Sequence, residues 1–441
     1  MKKSLLWKIK IMLVISIVAV FFLQGFTAES AKKDVTINVL GMSCVWLDVL
    51  EENQIPIFEE ETGINVEVIR LGLDEIREKL LIDLSSGLGS YDIYFFEQGW
   101  IAEFLSSGYL EPLGKYIDKY NTDTSIFFEP ALEYWGKWEG DVYAFPWDID
   151  TRFFFYQKDI FEEAGITVSD DPNVHMTPEE FMGILKKVHN LRDGVAGIGY
   201  LGGRNGVTEI EWREMFFIFG GGEGKYVLDP ETYEPLVNSP EGIAATKFYA
   251  SWSEYAPKGH TAWAWDENMS AFSQGNVVIS FEPSVFAGIF NDPKQSKVAG
   301  NMGWFAPPKV DDNPVKAAYG GWGIGISSFS EYKEEAYQFL DFAVSKENSS
   351  ERAAYAGVGA SQKFVYQDPE IIEKHPYYPF IYERLQLTEG FLPRVTCSSE
   401  LVDILAVQVS SVVMGKKSAE DAMAEAEKQM IEVLKRTGYI K

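Results

Sequence analysis

The chain has 441 residues, enough for two or three domains with substantial hydrophobic cores. Hydrophobic residues make up 46% and charged residues 24%, the balance of a globular protein, so extended disorder is excluded. Its 39 Lys and Arg residues face 66 Asp and Glu residues, a formal charge of −27 without a long basic block, which excludes a nucleic acid as partner.

The first thirty residues carry the pattern of a secretory signal peptide. Four lysines among the first ten residues precede an apolar run over 11–23, and small residues at 28–30 suit a signal peptidase. The run is shorter than the roughly 20 residues that a spanning helix needs, so we predict cleavage rather than permanent anchoring. No cysteine lies near the cleavage region, so no lipid attachment is predicted. The mature protein is expected to be periplasmic or extracellular.

From residue 35 onward the chain alternates strand-like and helix-like segments. Strands are predicted over 35–40, 64–71 and 91–96, with helices over 47–58 and 74–84 between them. Strands that alternate with helices pair in parallel, so the chain is expected to begin with an α/β layer.

Later segments extend this pattern. A hairpin is predicted around Gly140 and runs into an aromatic strand over 152–157, with further strands over 277–281 and 322–326. Capping boxes are expected at three helix starts, formed by the pairs Asp159 with Glu162, Thr177 with Glu180, and Ser418 with Asp421. The chain contains neither an internal repeat nor a low-complexity linker, so its domains are expected to interleave rather than follow one another.

Other local patterns favour neither a cofactor nor a metal. Residues 197–202 match the dinucleotide pattern G-x-G-x-x-G, but more loop follows where a helix should open, so a glycine-rich strand end is favoured. The four His residues show no metal-ligand spacing. The two Cys residues are too few for a disulfide framework or a Cys-rich metal site. Carboxylate pairs such as Asp148 and Asp150 keep a glycoside hydrolase open as an alternative.

Four segments share motifs with one known family. Residues 58–66 read FEEETGINV, 138–146 read WEGDVYAFP, 150–161 read DTRFFFYQKDIF, and 319–326 read YGGWGIGI. In composition and order they resemble the extracellular solute-binding proteins of bacterial carbohydrate ABC transporters, the maltose-binding-protein-like class. Residues 291–298 look closest to members that bind sugar alcohols or small sugars.

The resemblance implies an α/β fold of two lobes with a ligand cleft between them, joined by three chain crossings. We place lobe one at 31–150 plus 283–321 and lobe two at 151–280 plus 326–441. The crossings are expected near 150–153, 277–282 and 321–326. Cys44 and Cys397 would lie in different lobes, so two free thiols are expected.

The resemblance also implies function. The protein is expected to be a non-enzymatic receptor that binds a carbohydrate or polyol and delivers it to the membrane permease of an ABC transporter. It would act as a monomer, without a cofactor. The alternatives are a secreted carbohydrate-active hydrolase and the ligand-binding subunit of a sensor.

Candidate site residues lie on loops expected to follow strands, because open sheets bind ligands beyond the carboxyl ends of their strands. Arg152 is expected to bridge two ligand hydroxyls while Asp150 accepts from others; an Asp150–Arg152 ion pair that only steadies the hinge is the alternative. Tryptophans are expected to stack on apolar sugar faces. The full candidate set is Trp46, Glu97, Trp147, Asp148, Asp150, Arg152, Trp263, Trp265, Asp266, Glu282, Trp322 and Arg394.

Overall fold

Strands and helices alternate along the chain in a computed structural model that describes residues 35–204, 207–222, 227–310, 313, 315–357, 359–390 and 394–441. The predicted signal peptide, residues 1–30, lies outside the described residues. The strands are β1 (Thr36–Met42), β2 (Asn65–Leu71), β3 (Ile93–Glu97), β4 (Lys137–Trp138), β5 (Asp141–Val142), β6 (Ala144–Asp150), β7 (Arg152–Gln157), β8 (Ala196–Gly199), β9 (Val277–Pro283), β10 (Met302–Phe305), β11 (Ala317–Ala318), β12 (Gly320–Ile326) and β13 (Thr388–Glu389).

The α-helices are α1 (Val45–Val49), α2 (Ile55–Thr62), α3 (Leu73–Ser86), α4 (Ile101–Ser106), α5 (Gly114–Tyr120), α6 (Glu129–Ala131), α7 (Lys158–Glu163), α8 (Pro178–Val188), α9 (Val207–Ile218), α10 (Pro240–Ser251), α11 (Trp265–Ser273), α12 (Ala287–Asn291), α13 (Lys333–Ala343), α14 (Lys346–Ala356), α15 (Pro369–Lys374), α16 (Tyr378–Leu385), α17 (Ser398–Val413) and α18 (Ala419–Arg436). Within the described part of the chain, no helix is both long and apolar enough to cross a membrane.

The first sheet has five strands in the order β2-β1-β3-β12-β6. β1 pairs in parallel with β2 and β3, and β12 runs antiparallel to β3 and β6. The residues Ile93 to Phe96 of β3 are all fully buried, as expected for a strand covered on both faces. Because of these directions, β1, β3 and β6 end at the edge of the sheet where β12 begins.

The second sheet has four strands in the order β10-β7-β9-β8. β7 runs antiparallel to β10 and β9, and β8 is parallel to β9. The aromatic side chains of strand β7 pack into two different cores. The ring of Phe154 lies 4.7 Å from that of Phe281 on one face, and the ring of Phe155 lies 5.1 Å from that of Phe290 on the other. This alternation follows from the two-residue period of a strand.

Two hydrophobic cores accompany the two sheets, and each sheet with its core forms one lobe, the first with five strands and the second with four. The first surrounds the five-stranded sheet and includes residues of α13, α14, α15 and α16. The second lies on one face of the four-stranded sheet and includes residues of α9, α10, α17 and α18.

The chain passes between the sheets at three places. Thr151 alone separates β6 from β7, β11 lies between β10 and β12, and β13 lies between α16 and α17. The backbone N–H of Ala317 donates to the carbonyl of Leu387 at 3.2 Å, and that of Tyr319 to Glu389 at 3.1 Å. This short parallel ladder of β11 and β13 holds two of the three crossings side by side.

The strand pairing corrects the expected division of the second half of the chain. Residues 283–321 were expected in lobe one, yet β10 pairs with β7 of the second sheet. Residues 326–441 were expected in lobe two, yet α13 and α16 belong to the first core. The expected crossing at 277–282 is also wrong, because β9 is paired on both sides within the second sheet.

Helix capping confirms one of the three expected boxes, and a second is only half formed. Thr177 and Glu180 form the predicted capping box of α8, and the Ser418 side chain accepts from the N–H of Asp421 at the start of α18. The expected box of Asp159 with Glu162 is wrong, because no side chain caps α7. Asp159 instead accepts hydrogen bonds from Asn301 and Arg192.

Candidate binding site

The candidate site lies where the edges of the two sheets meet. β1, β3 and β6 end at this edge of the first sheet, and β8, β9 and β10 end at the facing edge of the second. Only Thr151 separates the two edges along the chain. Ligands of α/β sheets bind beyond the carboxyl ends of strands, so buried polar side chains at this junction are the candidates.

Asp148 of β6 is buried at the edge of the first sheet. Its Oδ1 accepts a hydrogen bond of 2.9 Å from the backbone N–H of Trp322. Burial raises the pKa of Asp148 to about 8, and the nearby carboxylate of Asp150 adds to the rise. The side chain is therefore anchored to the sheet by one oxygen.

Asp150, the last residue of β6, is 6% exposed. Its Oδ1 has no hydrogen-bond partner among the described residues. A Cβ atom at Gly320 on the paired strand would lie 2.3 Å from that oxygen, so a side chain there would displace the carboxylate. Burial raises the pKa of Asp150, while the positive charges of Arg152 and Arg213 oppose the rise.

Arg152, the first residue of β7, is 2% exposed. Its guanidinium lies 5.3 Å from the ring centroid of Trp265, within the range of a cation–π contact. Its Nη1 lies 3.8 Å from Oδ1 of Asp150, which is too long for a hydrogen bond. Within the described part of the chain, Nε and Nη1 have no hydrogen-bond partner, so the N–H groups of both nitrogen atoms are unused.

Two buried carboxyl groups of the second lobe lie close to Arg152. Oε2 of Glu211 accepts from the N–H of Leu201 at 2.9 Å and from the hydroxyl of Tyr249 at 2.5 Å, and burial raises the pKa of Glu211 to about 8. Burial also raises the pKa of Glu282; Glu211 adds to this rise and Arg152 opposes it. The side chains of Asn268 and Ser280 lie beside Glu282 and also oppose the rise of its pKa, whereas Oε1 of Glu211 has no hydrogen-bond partner among the described residues.

Helix α9 supplies further buried charges that the sequence analysis did not select. Glu209 and Arg213, one turn apart, form an ion pair of 2.5 Å between fully buried side chains. Oε1 of Glu214 accepts from the N–H of Ala318 at 2.8 Å, and burial raises the pKa of Glu214 to about 7. The sequence carried one signal of this burial. The segment EIEWREMFF, residues 209–217, distributes apolar residues over every face of a helix, so some of the charged residues between them must be buried.

Arg384 connects this helix to the crossings. Its Nη2 donates to the carbonyl of Arg152 at 3.2 Å and lies 3.8 Å from Oε2 of Glu214. Glu214 in turn accepts from Ala318 of β11. Arg384 and Glu214 therefore tie two crossing segments to α9.

Glu97, at the end of β3, faces the second lobe. Burial raises its pKa; Arg213 of α9 is the strongest opposing charge, and Glu209 adds to the rise. Glu97 of the first lobe therefore interacts electrostatically with Glu209 and Arg213 of the second lobe across the junction.

Three predicted tryptophans pack inside the first lobe. The rings of Trp46 and Trp147 lie 5.6 Å apart, and the guanidinium of Arg352 lies 4.0 Å from the Trp147 ring. Trp322 is 8% exposed and its ring contacts that of Trp100 at 5.8 Å. One face of Trp147 is therefore occupied by an arginine rather than open to a sugar.

Trp263 and Trp265 lie at the edge of the second lobe and are half-buried. Trp265 contacts Arg152 and, at 6.0 Å, the ring of Phe286. Asp266, in the first turn of α11, is exposed and lies apart from the buried polar group.

Arg394 lies just beyond the third crossing. Its guanidinium donates to the carbonyl oxygens of Glu133 and Lys137 and lies 4.8 Å from the ring of Trp138. These contacts join the chain after β13 to the first lobe.

The two cysteines are free thiols, as predicted. Burial raises the pKa of both Cys44 and Cys397, so neither thiol is activated. In the described residues, no cluster of three or more His, Cys, Asp or Glu side chains is placed to hold a metal ion.

The raised pKa of Asp148 predicts a pH-dependent effect of Asp148→Asn. Between about pH 4 and the folded-state pKa of about 8, Asp148 stays protonated in the folded protein but ionises in the unfolded chain. Rising pH through this window therefore lowers the wild-type stability by up to about 1.4 kcal/mol per pH unit. Asn does not titrate and retains an acceptor for the Trp322 N–H, so the variant should gain stability relative to the wild type as pH rises.

Urea unfolding of both proteins at pH 5 and pH 8 measures this difference. A stability difference that is the same at both pH values would contradict the assigned burial of the Asp148 carboxyl.

Comparison with known proteins places these features in one family. The model of the family described as "Bacterial extracellular solute-binding protein" matches residues 46–349. A probable amino-acid ABC transporter periplasmic-binding protein, y4oP of Sinorhizobium fredii, is 25% identical over 391 residues, covering 87% of this chain and 86% of the relative. A mannitol-binding protein of Pseudomonas aeruginosa is 25% identical over 407 residues, covering 87% and 90%. The maltose-bound structure of T. maritima MalE3 aligns with a TM-score of 0.81 at 25% identity, covering 91% of this chain and 100% of that one.

Proposed function

The chain belongs to the bacterial extracellular solute-binding proteins, and from this premise we propose that it is a receptor that binds a carbohydrate or polyol at the junction of its two lobes. One observation carries the proposal. Asp150 and Arg152 are each at least nine-tenths buried at this junction, and each has polar atoms without a hydrogen-bond partner in the described residues.

Buried polar atoms need partners, because leaving one unpaired costs about 1–3 kcal/mol. A polyhydroxyl ligand supplies both donors and acceptors in one small molecule. Hydroxyl groups can accept from Nε and Nη1 of Arg152 and donate to the oxygens of Asp150 and Glu282. Trp265, which is half-buried beside Arg152, offers apolar surface for ligand C–H groups.

The relatives support the same ligand class. One is named for mannitol, a polyol, and a matching structure holds maltose, a disaccharide. The name of y4oP points instead to amino acids, so amino acids enter the test as a competing class.

We further propose that the protein releases its ligand unchanged to the permease of an ABC transporter, acting outside the cytoplasmic membrane as a monomer. The strongly acidic chain, with a net charge of −27, favours a soluble, monodisperse protein. The secreted hydrolase and the sensor subunit remain the competing functions.

A thermal-shift screen tests the proposal. The panel contains erythritol, ribitol, D-mannitol, D-glucitol, D-glucose and maltose, with amino acids as the competing class. A ligand at 100 times its Kd should stabilise the folded protein by about 2.7 kcal/mol. The bound compound is then recovered and analysed by chromatography. Recovery of intact polyol or sugar is the expected result, hydrolysis products would indicate the enzyme, and a response to amino acids alone would contradict the ligand class.

A further inference from the structure

We propose that the lobe junction encloses a single sugar unit, or an acyclic polyol of similar length, and excludes oligosaccharides. This inference rests on the proposed function and narrows its substrate class by size. It follows from contacts between the lobes that border the junction on two sides, and from tryptophan rings that are already covered.

One border of the junction lies at the end of β3 in the first sheet. The turn Gln98–Trp100 directly follows β3 and packs against α17, whose apolar residues belong to the second core. Both ends of this turn are buried. Glu97, the residue before the turn, interacts electrostatically with Glu209 and Arg213 of α9, which also belongs to the second lobe. The two lobes therefore meet at this end of β3.

The opposite border lies beside β6. The turn Leu132–Gly136 packs against β6 and belongs to the first lobe. Arg394 reaches this turn from the second lobe, because it directly precedes Val395, which is buried in the second core. The Arg394 guanidinium donates to the carbonyl oxygen atoms of Glu133 and Lys137. Its donors therefore join the two lobes on this side.

Close backbone approaches complete this second border. A Cβ atom at Gly288 of α12 would lie 2.1 Å from the carbonyl oxygen of Ala356 in α14. A Cβ atom at Gly359 would lie 2.6 Å from the carbonyl oxygen of Ile149 in β6 and 3.1 Å from Cγ1 of Val285. Gly288 and Val285 follow β9 of the second sheet along the chain. The chain that leaves β9 is therefore packed directly against α14 and the end of β6.

The two borders limit the width of the junction. In the first sheet β12 lies between β3 and β6, so the borders are two strand spacings apart, about 10 Å. One sugar ring or a six-carbon polyol fits between them, whereas a chain of linked rings has to pass one of the borders. A longer ligand would hold the lobes apart there and lose the contacts of that border.

Among the candidate tryptophans, open aromatic surface remains at one edge of the junction. An oligosaccharide needs several open aromatic faces to cover the apolar faces of its successive rings. Trp263 and Trp265 are half-buried at the edge of the second lobe, and Trp265 lies beside Arg152. The other three candidates are buried by ring or guanidinium contacts in the first lobe: Trp46, Trp147 and Trp322. The exposed ring surface therefore suits one sugar unit.

The unpaired polar atoms of Asp150 and Arg152 also lie close together. Oδ1 of Asp150 and Nη1 of Arg152 are 3.8 Å apart, and neither has a hydrogen-bond partner among the described residues. Neighbouring hydroxyl groups on one carbon skeleton can donate to the first atom and accept from the second. One sugar unit is therefore long enough to reach both side chains.

A ligand series of increasing length tests the inference by titration calorimetry. D-Glucitol, maltitol and maltotriitol share the same polyol end and add one and then two glucose units, without any change of charge. If the panel identifies another one-unit compound, its own glucosides replace the series. We expect the one-unit compound to bind and each longer member to bind at least about tenfold more weakly, a difference of about 1.4 kcal/mol.

A glucoside that binds within tenfold of the one-unit compound would overturn the inference. If the longer members bind and the one-unit compound does not, the receptor function survives and the size limit is wrong. If no carbohydrate or polyol of any length binds, the proposed function fails and the inference fails with it.

A pair of variants tests whether the border at Arg394 sets this limit. Arg394→Ala removes the guanidinium that holds Glu133 and Lys137, so the affinity ratio of the one-unit compound to its glucoside should fall. Arg436→Ala makes the same change at an exposed position of α18, where the arginine pairs with Glu400, and should leave the ratio unchanged. A ratio as high in Arg394→Ala as in the wild type would contradict the role of this border.

Discussion

At pH 8.5, above the Glu214 pKa of about 7, replacing Arg384 with Met is expected to lower the free energy of unfolding by about 3–5 kcal/mol, the cost of leaving a buried charge without its partner. Arg384 and Glu214 are each 1% exposed. The variant would leave Glu214 beside Ala318 without its nearest cation and would remove the hydrogen bond from Arg384 to the carbonyl of Arg152. Urea unfolding measures the change as a lower midpoint at an unchanged slope.

The double variant Glu214→Gln with Arg384→Met is the matched control. Gln can still accept from the N–H of Ala318 but carries no charge, so most of the lost stability should return. A single variant within about 1 kcal/mol of the wild type would contradict the role of Arg384 as the counter-charge of Glu214.

Arg152→Lys is expected to lower ligand affinity at least about tenfold while changing the stability of the unliganded protein little. Lys keeps the positive charge near Glu211 and Glu282, but it loses the planar fork of donors. Nε and Nη1 of Arg152 have no hydrogen-bond partner among the described residues, so their partner is assigned to the ligand. Losing one hydrogen bond to a charged group costs about 1.5–3 kcal/mol of binding.

Arg152→Ala separates the two roles of this side chain. It removes the charge as well as the fork, so both ligand affinity and unfolding free energy should fall. Calorimetry and urea unfolding on the two variants compare these effects. Unchanged affinity in Arg152→Lys would mean that the guanidinium only steadies the hinge.

Local patterns in the sequence predicted most of the strands but a minority of the helices of the described residues. The aromatic run at 152–157 is strand β7, the hairpin around Gly140 is formed by β4 and β5, and Thr177 caps α8. These features depend on neighbouring residues, so they are visible in the sequence.

The division of the chain into lobes was not predictable in the same way. β10 and β12 have similar buried patterns, and nothing local indicates that β10 pairs with β7 whereas β12 pairs with β3 and β6. Which sheet a strand joins depends on contacts between residues distant in sequence.

Only part of the site was predicted, because its residues also come together from distant parts of the chain. Asp150 and Arg152 adjoin a crossing that the motif order suggested, and the structure places Arg152 beside Glu282. Glu209, Glu211 and Glu214 were missed, because acidic residues on a helix are normally exposed and the apolar residues between them were the only contrary signal. Trp147 was selected for its aromatic face, which Arg352 covers.

A crystal structure of the protein with the tightest ligand of the panel tests the central claim most directly. The account predicts a neutral polyol or sugar between the lobes, with hydroxyl oxygens within about 3.2 Å of the Arg152 guanidinium and of the Asp150 carboxylate. A ligand bound elsewhere on the surface, or one that leaves Arg152 and Asp150 without contact, would contradict it.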